Sequence, residues 1–351
     1  MTRRNKEKGF SLLELLVALA ILLIVSGTII TGMIRMTWSQ YTIMNRTQVH
    51  SSVRNATEMM QQEIGQAGRV GSSPGLKFQN AIATVGDCFP ISCPTITSSS
   101  GTATDGLYVG EQLVVDPNTT NEETVTIVSI TGATIRATFA NTHVANTPVL
   151  ILGGFVSGIV PPTGKNIFSG VGTNPTTLTA GTSDGSDGYH LKLYGDIYGD
   201  GNMYYVEYVC APDSNGKGTL KRYNVQDVIT GTALTLGNSG AVLLDTLAQN
   251  PPTNNPAPCF TYFTKDVAVT INGGQVMQTF VVNVAVTLTV QTQNKDLQTG
   301  SYQTETKALL NVAPRNVVDA WENASAPAGY TRAQPMPDNV LKNLLTATLY
   351  N

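Results

Sequence analysis

The chain has 351 residues, a formal net charge of −3 and charged side chains at only 13% of positions. That balance excludes the strong positive field that nucleic-acid binding uses, and no basic stripe with interleaved aromatics occurs, so no nucleic-acid partner is expected. The length allows one large or two modest domains beside any membrane segment.

Arg3, Arg4, Lys6 and Lys8 form a short basic leader that ends at Gly9. From Phe10 to Ile34 the only charged side chain is Glu14. A run of that length crosses the ~30 Å hydrocarbon core that about 20 helical residues span. An ordinary cleaved signal has an apolar core of about 7–15 residues and then small residues at the cut, and this run is longer and continues into helix. Clustered Lys and Arg stay on the cytoplasmic side, which leaves the rest of the chain facing outward. A carboxylate inside a span costs on the order of 2.5–3.5 kcal/mol, which makes Glu14 a functional candidate. A carboxylate snorkelling from the helix end is the plain alternative.

The leader ending in Gly9, then Phe10, a hydroxyl residue, two leucines and Glu14 resemble the class III signal of type IV prepilins. The resemblance implies that a prepilin peptidase in the inner membrane cuts between Gly9 and Phe10 and methylates the new amine of Phe10. It also implies that Glu14 is the assembly residue, through which the N-terminal helix packs among those of other pilins. The physical logic stands beside the resemblance: a positive terminal amine on one subunit and a carboxylate on its neighbour neutralise each other in lipid, whereas deleting one strands the other. Residues 1–9 are then a cleaved leader and 10–34 the membrane half of a helix.

The helix should continue through 35–69, because Val49, Val53, Ala56, Met60, Ile64 and Ala67 recur at helical spacing. Arg46, Arg54, Glu58 and Glu63 are assigned to its other faces, and Gly68, Gly71 and Ser72-Ser73-Pro74-Gly75 end it. Gly27 and Gly32 are ordinary membrane glycines or points of local melting. Residues 70–106, rich in Ser, Thr, Gly and Pro, read as a loop beside the helix. Four exported cysteines allow three pairings. Sequential pairing is expected, Cys88 with Cys93 and Cys210 with Cys259; the scattered His50, His143 and His190 and the lack of Cys-x-x-Cys spacing argue against a metal site.

Between 107 and 152 lie short β runs, Leu113–Val115, Thr124–Ile130, Thr134–Phe139 and Val149–Leu152, which read as a small inserted β module. It is similar to short β units of surface and tail-fibre proteins, which adds a surface-binding possibility. Residues 156–187 read as irregular. Leu191–Tyr194, the turn Gly195–Asn202 and Met203–Val209 read as a hairpin. Asp196 and Asp200 in that turn echo a calcium loop, although Tyr198 stands where a ligand is wanted and no Glu closes the site; no other cofactor is expected. Phe280 to Val290 alternate strictly and, with Tyr302 to Val312, predict a long hairpin that covers the helix. After Trp321 an Ala/Pro tail precedes Asp338, a candidate cap for a short helix carrying Val340, Leu341, Leu344 and Leu345.

Gln61–Gly68, the Asp-Gly turn before a Tyr-rich strand, Leu220-Lys221-Arg222-Tyr223 and Val312–Asn316 resemble PilW-type minor pilins. The expected fold is therefore α+β and pilin-like: a long N-terminal helix packed on an antiparallel sheet (153–321), an inserted β module and a tail (322–351). No converging nucleophile, base and orienter is present in the sequence, so an enzyme is not expected. The expected function is a structural minor pilin, PilW-like, that primes a type IV pilus. A type II secretion pseudopilin of the J class, and a surface-binding module carried on a pilin stalk, are the alternatives.

Overall fold

A computed structural model describes residues 11–71, 75–88, 93–98, 106–167, 176–178, 185–227, 240–252, 254–271, 274–297, 299–325, 333–338 and 340. The described chain divides into two compact units, one holding the helix up to Ser51 together with Gln291–Glu305, the other holding the rest. The architecture is α+β: a long apolar N-terminal helix followed by a mostly antiparallel β domain.

Helix α1 runs unbroken over Leu12–Gln66, through Gly27 and Gly32. Its stripe Val53, Ala56, Met60, Ile64 and Ala67 is buried, as the three-and-four spacing requires. Glu63 departs from expectation, since it is 7% exposed rather than turned to solvent. It lies three residues after Met60 and four before Ala67, so it shares the edge of the buried stripe. The helix stops where Gly68 takes φ +82°, a left-handed conformation that glycine adopts at no steric cost. The Asn316 side-chain amide donates to the Gln66 and Ala67 carbonyls at 3.2 and 3.3 Å, which satisfies the exposed end of the helix.

Seven strands form the main sheet, His190–Gly195, Met203–Ala211, Gly218–Asp227, Ala241–Ala248, Phe260–Ile271, Gly274–Gln291 and Thr304–Val312. The first two form the expected hairpin, with Leu191 opposite Tyr208 and Tyr194 opposite Tyr205. The long strand Gly274–Gln291 pairs with Thr304–Val312 as expected and has a further partner that the alternation does not reveal. Over most of its length it pairs with the preceding strand, Phe260 opposite Val286 through Ile271 opposite Gly274, and Thr304–Val312 also pairs with it. Alternation reveals which face of a strand is buried, not which strand lies at each edge.

The expected boundary near residue 106 is absent. Lys77–Phe78 pairs with Ile96–Thr97, and Gly86–Asp87 pairs with Thr138–Phe139. Leu76, Phe78, Ile82 and Ile96 share one core with Leu113, Val125, Ile135 and Phe139, so the cysteine-bearing segment belongs to the β module instead of forming a loop beside the helix. Its scattered apolar residues needed a core, and the short strands of the module have one open to them. Asn166–Ile167 pairs with Thr176–Thr177 inside the stretch read as irregular.

A second helix, α2 (Arg315–Ser325), follows the last strand, beginning within the Val312–Asn316 stretch that resembles PilW-type minor pilins and running beyond it. Pro314 precedes it, a position where the missing N–H costs nothing, and Val317, Ala320 and Ala324 are its buried face. Ala333–Gln334 pairs in parallel with Gly154–Phe155. Val340 is buried with Met336, whereas Leu341, Leu344 and Leu345 lie outside the described residues.

Candidate functional site

The first turn of α1 is closed by a capping box. Ser11 Oγ accepts the Leu13 N–H at 3.3 Å, and Glu14 Oε2 reaches back to accept the Ser11 N–H at 3.0 Å. Two amides that a helix start leaves without partners are thereby satisfied, and a negative group sits where the helix dipole favours it. The pattern Ser-x-x-Glu is legible in the sequence as a helix start. Glu14 is thus held pointing back toward the chain start. Gly9 and Phe10 lie outside the described residues.

From Leu15 to Ile34 the helix carries no charged side chain, and most of what it exposes is apolar. Leu12, Leu13, Leu15 and Leu16 are 57–79% exposed, and its most apolar window is buried nowhere in the protein. By length and composition this helix can cross a membrane. Its hydroxyls are no obstacle: Thr28 Oγ1 donates to the Val25 carbonyl and Thr31 Oγ1 to the Gly27 carbonyl, both at 2.8 Å. Such back-bonding pairs both threonine hydroxyls within the helix itself.

Where the helix meets the sheet, Glu63 is gripped from three directions. Arg222 donates from Nη2 to Oε1 at 2.6 Å and from Nε to Oε2 at 3.1 Å, a two-pronged pair, while the Tyr208 hydroxyl donates to Oε2 at 2.5 Å. Burial and then the Glu63 carboxylate push the Tyr208 phenol far above its ordinary range. Arg222 also donates to the Tyr198 hydroxyl, which accepts a further bond from Asn224 at 2.8 Å.

The turn carrying Asp196 and Asp200 is filled by protein donors. Asp196 accepts the Asp200 and Gly201 amides at 3.0 and 3.3 Å and lies 3.5 Å from Arg69 Nε. Asp200 accepts the Asn202 amide at 2.9 Å and the Tyr204 hydroxyl at 2.8 Å. Among the described residues no three His, Cys, Asp or Glu side chains gather as a metal site requires. The three histidines stand apart, each beside its own carboxylate: His50 with Glu305, His143 with Glu123, His190 with Asp187. The cysteines are bridged as Cys88–Cys93 and Cys210–Cys259.

Sequence reasoning also missed the buried carboxylate of Glu111, which is wholly buried and accepts the Tyr108 amide at 3.3 Å, its other oxygen having no partner among the described residues. Burial pushes its carboxyl well above the usual range. Nothing in the sequence around it, Gly110-Glu111-Gln112, distinguishes it from a surface residue.

Residues 4–30 match the family model described as the prokaryotic N-terminal methylation motif. No curated protein and no solved structure matches the chain. The match supports a type IV pilin-like or pseudopilin-like precursor, a substrate of prepilin peptidase, and with the apolar helix it is consistent with a membrane-anchored subunit of a pilin-family assembly.

Proposed function

We propose that this chain is a structural minor pilin, PilW-like, that waits in the inner membrane with its β domain outside the cytoplasm and then joins the priming tip of a type IV pilus. The observation that carries the reading is the methylation motif over residues 4–30 with Glu14 as the sole charge of the following span. Peptidase cleavage between Gly9 and Phe10 leaves a methylated amine on Phe10. Glu14, which caps its own helix in the free subunit, exchanges the Ser11 amide for the Phe10 amine of an adjoining subunit. A charged donor in lipid outbids a neutral one, and the exchange neutralises two desolvated charges together. Its partners are then prepilin peptidase and other pilins, and it needs neither cofactor nor catalysis.

The test uses Glu14→Ala in cells. Mass spectrometry of the variant should find N-methylated Phe10 as in the wild type, while the variant should be depleted at least about tenfold from sheared filaments, the loss of a charge-assisted bond of 1.5 kcal/mol or so. Undiminished incorporation would remove the assembly role, and a protein still beginning at Met1 would remove the prepilin reading.

A second reading, a surface-binding module on a pilin stalk, draws support from one observation: the β module has its own buried core, Leu76 to Val149, separate from that of the main sheet.

A further inference from the structure

Immediately past the apolar run, α1 carries Arg35, Trp38 and Tyr41, all exposed, with Trp38 at 40% and Tyr41 at 53%. Steps of three residues turn a helix by about −60°, so the three side chains fall within roughly 120° of one another. Large rings left open to solvent on an isolated helix are costly in water, whereas indole and phenol are amphipathic and settle at the headgroup level of a bilayer. At about 1.5 Å per residue, Trp38 and Tyr41 lie ~4.5 and ~9 Å beyond Arg35, which matches the few ångströms of interfacial layer outside the hydrocarbon. Arg35 is the first charge after Glu14, and its long stem lets the guanidinium reach outward to lipid phosphate.

We propose that Arg35, Trp38 and Tyr41 are the outer-leaflet anchor that fixes how deeply the unassembled subunit sits in a phospholipid bilayer. The proposal rests on the membrane reading above and adds a depth to it. Arg35 lies twenty-one positions after Glu14 (14 to 35). Those positions span ~31 Å as helix, about the thickness of the hydrocarbon core. With the rings seated in the outer headgroup layer, Glu14 meets the inner headgroup boundary, not the middle of the membrane. The free subunit therefore keeps its carboxylate hydrated, and the carboxylate loses that water only on joining other helices.

The full chain is reconstituted in phosphatidylcholine vesicles containing some phosphatidylglycerol, with bromine placed on the acyl chains either near the glycerol or near mid-chain. Trp38 and Trp321 are the chain's two tryptophans, so the signal lost in Trp38→Phe relative to wild type reports Trp38 alone. That signal should be quenched at least about twofold more by bromine near the glycerol than by bromine near mid-chain. Leu13→Trp on the Trp38→Phe background should show the same preference from the inner side. Stronger quenching of the Trp38 signal at mid-chain, or none from either lipid while the protein floats with the vesicles, would overturn the anchor; the second result would place the rings in water or against another protein. Stronger mid-chain quenching of Leu13→Trp would overturn the depth assigned to Glu14. A protein that does not float with vesicles at all would sink the membrane reading itself, and the anchor with it.

Discussion

Glu63 and Glu111 are both carboxylates taken out of water, and the structure resolves the cost differently in each. Glu63 keeps its charge company with a two-pronged arginine and a phenol, so removing the arginine leaves an uncompensated buried charge. Arg222→Ala should lower unfolding stability by about 3–5 kcal/mol in chemical denaturation, and Arg222→Lys should recover only part, because an ammonium lacks the planar fork. Glu111 pairs with no cation among the described residues, and burial pushes its carboxyl well above the usual range. Its folded carboxyl holds a proton to a pH above its unfolded one, so the folded state binds more protons and stability falls as pH rises from the ordinary carboxyl range through the raised folded value. Glu111→Gln should flatten that decline in melting temperature and leave the variant the more stable protein at neutral pH. An unchanged slope would assign the decline to other groups. Neither burial is written in the local sequence: Glu63 sits on the margin of a visible stripe, whereas beside Glu111 the chain meets a segment more than two hundred residues away, the Gln334 amide donating to the Gln112 carbonyl at 2.9 Å.

At the scale of elements, the exit of α1 is held by close backbone approach. A Cβ at Gly158 would lie 2.2 Å from the Cα of Gly68 and 2.3 Å from its nitrogen. Backbone cannot give as a flexible side chain does, so Gly158→Ala should cost about 3 kcal/mol or more, measurable as a lowered denaturation midpoint. Two strands far apart in the chain are joined by Cys210–Cys259, both cysteines buried and 49 residues apart in sequence. Closing a loop of that length stabilises by about 4 kcal/mol in the chain-entropy description, against about 2 for the short Cys88–Cys93 loop. Replacing Cys210 and Cys259 by Ser should therefore lower the melting temperature much more than replacing Cys88 and Cys93, and equal effects would contradict the ordering. The element signals themselves differ in clarity. Asn272-Gly273, the dipeptide between Phe260–Ile271 and Gly274–Gln291 in the sequence, is a strong short-hairpin signal that identifies the strand partner. Pro314 followed by apolar residues at 317, 320, 321 and 324 likewise marks α2. Both were legible, and both were masked by the more regular alternation from Phe280 to Val290.

For the molecule as a whole, the buried cores lie downstream of the apolar run, whose most apolar window has no buried residue. A fragment lacking residues 1–34 should therefore stay soluble without detergent and melt within a few degrees of the full chain in micelles; a large drop would mean that the apolar run contributes to the core. Sequence alone determined the long apolar run, the placement of its single carboxylate, the amphipathic stripe from Val53 to Ala67 and the α+β class, because each is a periodicity or a composition within one segment. Tertiary structure alone decided that residues 76–88 and 93–98 join the β module, that Gly274–Gln291 pairs backward as well as forward, and that Glu63 and Glu111 go inside. Those outcomes depend on which distant segments meet, and a segment's own pattern records the face it hides but not the partner that hides it.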